Sequence, residues 1–239
     1  MIASTSRSNT TWPNQMDEEA QAIAARLVRR LKEFDFKLTV AESCTGGLLT
    51  SILTDIAGAS QWFEQSWVTY SNESKTNELN VEPELLASKG AVNATVAIQM
   101  AEGARVKANA DFSISITGIA GPKNDDSNKP IGLVFVGIAT KHWANAESMQ
   151  MGGNRHENKR SFVQFALRTA IDCWDKAKVR KKEAVEKEAQ EQEELARETA
   201  LKEAEKEKRM QEASKNAPWQ DESWKDPDGD PLDGVEWKK

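Results

Sequence analysis

Residues that hold metals and disulfides are scarce in this chain. Among its 239 residues are two cysteines, Cys44 and Cys173, and two histidines, His142 and His156. Two thiols are too few for a disulfide framework and fit a reducing compartment. Two histidines leave little from which to assemble a His-based metal site, so no metal is expected. Also absent is any run of about 18 apolar residues, and Met1 to Met16 lacks the apolar stretch of a signal peptide. Basic excess is missing too: 32 Lys and Arg stand against 38 Asp and Glu, a formal net charge of −6. That balance argues against general binding to nucleic acid or to an anionic membrane surface. A cytoplasmic protein with no nucleic-acid partner and no membrane partner is the expectation.

What is present is unevenly distributed. Residues 1–16 are rich in Ser, Thr and Asn without an apolar period, and read as a disordered N-terminus. Residues 17–174 carry the apolar patterning of one domain, long enough to bury some two thirds of its unfolded surface. From 175 to 215 the sequence is dominated by Glu, Lys, Ala and Arg, which favours helix through propensity and i,i+4 ion pairs. Its apolar residues Val185, Leu195, Leu201 and Met210 keep no heptad, so a solvated single helix is expected rather than a coiled coil. Residues 216–239 place Trp219, Trp224 and Trp237 in an acidic, Pro- and Gly-containing background, read as a disordered tail that carries a short motif for a protein partner. Asp226, Asp228 and Asp230 imitate the start of a calcium loop, but Pro231 stands where glycine is required.

Within 17–174, helix-like and strand-like periods interleave. Glu18 to Phe34 puts Ala20, Ile23, Ala24, Leu27, Val28 and Leu31 on one face. Lys37 to Val40 and Trp62 to Tyr70 read as strands. Glu73 to Leu79 is a short helix, Pro83 suits the first turn of another, and Asn93 caps a third over Ala94 to Lys107. Phe112 to Ile116 alternates as a strand, Gly132 to Thr140 and Glu147 to Met151 add two more, and a last helix starts near Arg155. The fold class predicted is a three-layer α/β/α single domain.

The segment Ala41-Glu42-Ser43-Cys44-Thr45-Gly46-Gly47 joins the first strand to a helix. At such a turn the first N–H groups of the helix lack partners and can hold an anion or an oxyanion. That makes Ser43 a candidate nucleophile and Thr45, Gly46 and Gly47 candidate donors, with simple helix capping by Ser43 or Thr45 as the structural alternative. A serine needs a base. Lys75 follows the end of the second strand, so parallel pairing brings it to the edge where Ser43 lies, provided burial lowers its pKa; a solvated helix lysine is the alternative. Cys44 reads as a small buried residue.

These segments together resemble a known family, the C-terminal domain of the competence-damage-inducible protein CinA. The motifs are AESCTGGLL at 41–49, VTYSNESK at 68–75, GAV at 90–92, MAEGAR at 100–105, TGIAGP at 117–122, KPIG at 129–132 and GGNR at 152–155. The family is described as serine amidohydrolases with a Ser/Lys dyad, and its motif serine and lysine fall on Ser43 and Lys75. The resemblance implies hydrolysis of the carboxamide of a small pyridine nucleotide, nicotinamide mononucleotide, to nicotinate mononucleotide and ammonia, without cofactor, in a homo-oligomer. Tyr70 would orient a dyad member or pack in the core. Thr117, Gly118, Gly121 and Arg155 are the positions expected to meet the substrate phosphate.

The chain departs from the family pattern at Lys123-Asn124-Asp125-Asp126-Ser127, where a glycine-rich stretch is usual, at Asn154 in place of aspartate, and at Asn93 in place of serine. The altered loop motivates a second reading, a nucleotide-binding regulatory pseudoenzyme. A third places the function in the extension and tail, as an interaction protein.

Overall fold

Alternation along Phe112-Ser113-Ile114-Ser115-Ile116 builds the centre of the sheet. Phe112, Ile114 and Ile116 face one helical layer, while Ser113 and Ser115 are equally buried beneath the other. Small side chains there let a helix come close, and each hydroxyl finds a helix carbonyl: Ser113 Oγ donates to Ala101 O at 2.6 Å and Ser115 Oγ donates to Ala97 O. A polar alternation that would ordinarily face water is thus buried on both sides, because its donors are satisfied.

The structure is a computed structural model that describes residues 12–123 and 128–215. Its elements in order are α1 (Trp12–Glu33), β1 (Leu38–Glu42), α2 (Leu48–Thr54), β2 (Phe63–Val68), α3 (Asn72–Leu79), α4 (Pro83–Lys89), α5 (Ala94–Lys107), β3 (Phe112–Gly118), β4 (Leu133–Thr140), β5 (Ala144–Gln150) and α6 (Arg155–Lys215). The five strands form one sheet in the order β2-β1-β3-β4-β5. β1 pairs in parallel with β2 and β3, whereas β3–β4 and β4–β5 are antiparallel. Apolar residues of α1, α2 and the first part of α6 cover one face. Those of α3, α4 and α5 cover the other, which is the three-layer arrangement expected.

Register places the functional edge. Glu42 stands opposite Val68 on one side and opposite Ile116 on the other. β1 and β2 therefore finish level while β3 runs on to Gly118, and Ser43, Thr69 and Thr117 come next in line at the same edge.

Two boundaries in particular differ from the periodic reading. α1 starts at Trp12 rather than near Glu18, and Pro13 in its first turn needs no N–H partner. β5 starts at Ala144, three residues before the expected strand, in a hairpin where Thr140 Oγ1 accepts the N–H groups of His142 and Trp143 at 3.2 Å each. As an exposed edge strand β5 has little apolar signature. The expectations for residues 1–11 and 216–239, the Asp226–Asp230 run included, fall outside the described residues.

The chain divides into two compact units, Met1–Lys178 and Val179–Lys239. In the second, the helix runs to Lys215 and carries i,i+4 ion pairs such as Lys187 with Glu191 and Arg197 with Glu193. Val185, Leu195, Leu201 and Met210 on it are exposed. Among the described residues no helix is long and apolar enough to cross a membrane.

The close approach of α5 to the sheet makes Gly137 sensitive, since a Cβ there would lie 2.2 Å from Ala97 O. The obstruction is helix backbone, which has little to give, with Ser115 Oγ also 2.6 Å away. Gly137→Ala is expected to cost about 1–3 kcal/mol of stability, seen as a lower urea midpoint.

Candidate active site

Lysine 75 sits on a helix with no apolar stripe to speak of, NESKTNEL. Its inward face consists of Lys75 and Leu79, one turn apart, and the lysine is fully buried. Ser71 begins this helix, its Oγ accepting the Ser74 N–H at 3.0 Å. From the first turn the lysine reaches back over the end of β2. Its Nζ lies 3.0 Å from Ser43 Oγ, 2.8 Å from Thr69 O and 3.3 Å from Tyr70 O.

Burial without a carboxylate partner lowers the Lys75 amine from its ordinary 10.5 to about 8. A substantial fraction is then neutral near physiological pH. A neutral amine has two N–H groups and one lone pair. The carbonyls of Thr69 and Tyr70 can only accept, so they take the N–H groups, and the lone pair is left to face the Ser43 hydroxyl. The expected pair of Ser43 and Lys75 is therefore brought together, in an arrangement suited to proton transfer from serine to lysine. Cys44, beside the serine, is buried as expected, and burial pushes its thiol up to about 12, which keeps it protonated.

The expected oxyanion donors need correction. Glu42, fully buried at the end of β1, turns its carboxylate onto the start of α2 and accepts from Gly47 N–H at 3.0 Å, Leu49 N–H at 3.2 Å, Thr50 N–H at 2.8 Å and Thr50 Oγ1 at 2.8 Å. The Gly46 N–H donates to Ser43 O at 3.1 Å. The N–H groups of Gly46 and Gly47 are thus spent inside the turn; what these glycines supply is its left-handed backbone, with φ of 64° and 93°. Thr45 is fully buried, and its hydroxyl has no hydrogen-bond partner among the described residues.

Tyr70 also differs from expectation. It is 60 % exposed, so it is no core aromatic. Its phenol oxygen meets Arg155 Nη2 at 3.0 Å, and its backbone carbonyl, rather than its ring, touches the lysine. Arg155 in turn donates through Nη1 to Gly121 O. Thr117 and Gly118 lie in the wall of the cleft, but the Thr117 hydroxyl already donates to Ala91 O at 2.9 Å.

Together these groups line a cleft of about 420 Å³ at the carboxyl ends of the parallel strands. Ser43 and Lys75 stand in it with the cations Lys123 and Arg155, and its described wall includes no carboxylate. Such a site attracts an anion. Sequence reasoning missed three contributors. Glu42 sits inside the most visible motif but reads there as a polar strand end. Lys123 belongs to the departing loop. Asn158, buried, joins two loops by donating to Ala120 O at 3.1 Å and Gly153 O at 2.7 Å while accepting from Gly153 N–H at 3.0 Å. The two other departures are harmless locally. Asn154 Oδ1 caps α6 through the His156 and Glu157 N–H groups, and Asn93 Oδ1 caps α5 through the Val96 N–H.

A depressed lysine has a stability signature. Between about pH 8 and 10.5 the unfolded chain holds a proton on Lys75 that the folded chain has released, so this group makes stability rise with pH across that window. Lys75→Met should flatten the rise. Urea unfolding of both proteins at either end of the window reads it, and equal pH dependence would count against the depressed amine.

The comparisons with known proteins point to the same domain. The family described as CinA C-terminal domain matches residues 20–174. A nicotinamide-nucleotide amidohydrolase PncC of Escherichia coli strain K12 is 40 % identical over 154 residues, covering 64 % of this chain and 93 % of that protein. A provisionally named competence-damage inducible protein of Caldicellulosiruptor saccharolyticus is 43 % identical over 147 residues; the match covers 62 % of this chain but spans only 36 % of that longer relative. Among solved structures, a CinA-superfamily protein of Escherichia coli superposes with a TM-score of 0.63 at 32 % identity, over 65 % of this chain and 91 % of that one. A competence/damage inducible protein of Agrobacterium tumefaciens gives 0.62 at 35 % identity, over 64 % and 94 %. By sequence match and by architecture, this chain belongs to the CinA C-terminal domain family.

Proposed function

We propose that the protein is an amidohydrolase that converts nicotinamide mononucleotide to nicotinate mononucleotide and ammonia. The observation that carries this reading is the buried contact of Lys75 Nζ with Ser43 Oγ at 3.0 Å, made by an amine whose pKa is lowered to about 8. The similarity to an amidohydrolase along nearly its whole length supports the substrate. The cations Arg155 and Lys123 at the cleft suit its phosphate.

In the proposed mechanism, neutral Lys75 takes the proton of Ser43 as Oγ attacks the carboxamide carbon. The tetrahedral intermediate collapses by breaking the C–N bond, and the lysine ammonium gives its proton to the departing nitrogen, which leaves as ammonia. An acyl-serine remains. Water then attacks its carbonyl, handing a proton to the amine, and the serine recovers its own proton from the lysine as nicotinate mononucleotide leaves. Thr69 O and Tyr70 O hold the amine through both halves. The intact pair argues against the binding-only reading despite the altered loop, and no described feature of the helical extension favours it as the seat of function.

Ammonia and nicotinate mononucleotide should both form from nicotinamide mononucleotide with the native protein. Ser43→Ala and Lys75→Ala should each lower kcat by at least about a hundredfold. The native rate should climb with pH through about 8 and then level, because the working form of Lys75 is the deprotonated one. Activity surviving in both variants would remove the dyad from the mechanism.

A further inference from the structure

Glu42 is the buried carboxylate of this chain's catalytic edge, and the mechanism above does not use it. Among the described residues no basic side chain pairs with it; four donors of one short segment, Gly47 to Thr50, converge on it instead. The N-cap position of α2 is Gly47, in a left-handed conformation and with no side chain to cap the helix. The cap is supplied from five residues upstream, off the end of the preceding strand. A charge this deep is tolerated because every oxygen is met by N–H or O–H groups.

The same residue also touches the lysine's side of the site. Its backbone O accepts the Thr69 N–H at 2.8 Å, and Thr69 O is the acceptor 2.8 Å from Lys75 Nζ. Ser43, the next residue, is pinned by its own N–H to Ile116 O at 3.0 Å and by its O to Gly46 N–H at 3.1 Å. One side of Glu42 thus sets where the serine turn closes, and the other sets where the carbonyl that orients the amine lies.

We infer that Glu42 is a positioning residue, which holds Ser43 Oγ and the Lys75 lone pair in register by anchoring the 43–50 turn and the end of β2 together. The inference rests on the Ser43–Lys75 reading above but not on the substrate. Its consequence is specific. Loss of the carboxylate loosens the serine turn, so the rate of nucleophilic attack falls while substrate still binds, because Arg155 and Lys123 do not depend on Glu42.

A fluorophosphonate tests this without any assumption about substrate: Ser43 Oγ bonds to phosphorus, fluoride leaves, and the hydroxyl proton goes to Lys75. Glu42→Gln keeps the volume but turns an amide N–H₂ toward N–H donors. Its Ser43 labelling rate, measured on protein shown to be folded, should fall at least about tenfold, since small misplacements of reacting groups cost that much or more. Where nicotinamide mononucleotide is turned over, kcat should fall with KM within about twofold. Thr50→Val removes a single donor to Glu42 and should slow labelling by a smaller, measurable factor, which keeps the test open if Glu42→Gln does not fold. Native-rate labelling in folded Glu42→Gln, or in Thr50→Val should Glu42→Gln not fold, overturns the inference: the carboxylate would then be a helix cap and nothing more. Native protein that labels at Ser43 yet leaves nicotinamide mononucleotide untouched overturns the proposed substrate and not this inference.

Discussion

Everything at the cleft edge of the sheet depends on one amine kept out of water with carbonyls for company instead of a carboxylate. An ion pair would have held Lys75 protonated. Backbone carbonyls accept its N–H groups without pinning its charge, so desolvation prevails and the amine is lowered to about 8. The rest of the site is arranged around that choice. A helix without an apolar face turns its single lysine inward, and the end of the neighbouring strand supplies the acceptors.

The sheet supplies the alignment this requires. Parallel pairing of β1 with both neighbours brings the carboxyl ends of three strands to one edge, and each delivers a part: the serine, the acceptors for the lysine, and the cleft wall from Thr117 to Gly121. The antiparallel half, β4 and β5, contributes no residue to the described lining of the cleft, while β4 adds Val134, Val136 and Ile138 to the core. Close packing of α5 on the serine face of β3 lets a sheet with hydroxyls at its centre remain dry, because the helix carbonyls take their hydrogens.

Negative charge is handled with equal economy. The carboxylate at the edge, Glu42, is neutralised by the start of α2, where unpaired N–H groups would otherwise need a partner. The positive end of that helix therefore serves the fold, and positive charge for a ligand comes from Lys123 and Arg155 across the cleft. Arg155 is itself held by Tyr70 and by Gly121 O, while Asn158 ties the loop of Ala120 to the loop that opens α6.

Most of the elements were legible in the sequence because their signals are local. The apolar stripe of α1, the β-branched run before Ser43, Asn93 ahead of α5 and the alternation of β3 each report on neighbours within a turn or two. The serine and the lysine were legible through their place after strand ends and through the motifs that resemble the family. Missing from the sequence were the particular partners: that Glu42 caps α2 and takes the Gly47 N–H, one of the expected oxyanion donors, that the Tyr70 phenol meets Arg155 while its carbonyl meets the lysine, and that Asn158 clamps two loops. By itself, then, the sequence determined which segments are helix or strand and which side chains carry reactive groups, since propensity and periodicity act along the chain. Tertiary structure alone decided which donor meets which acceptor and how far the lysine's pKa falls, since desolvation and hydrogen-bond competition depend on everything packed around a group, including partners far off along the chain, as Ser43 and Lys75 are, 32 residues apart.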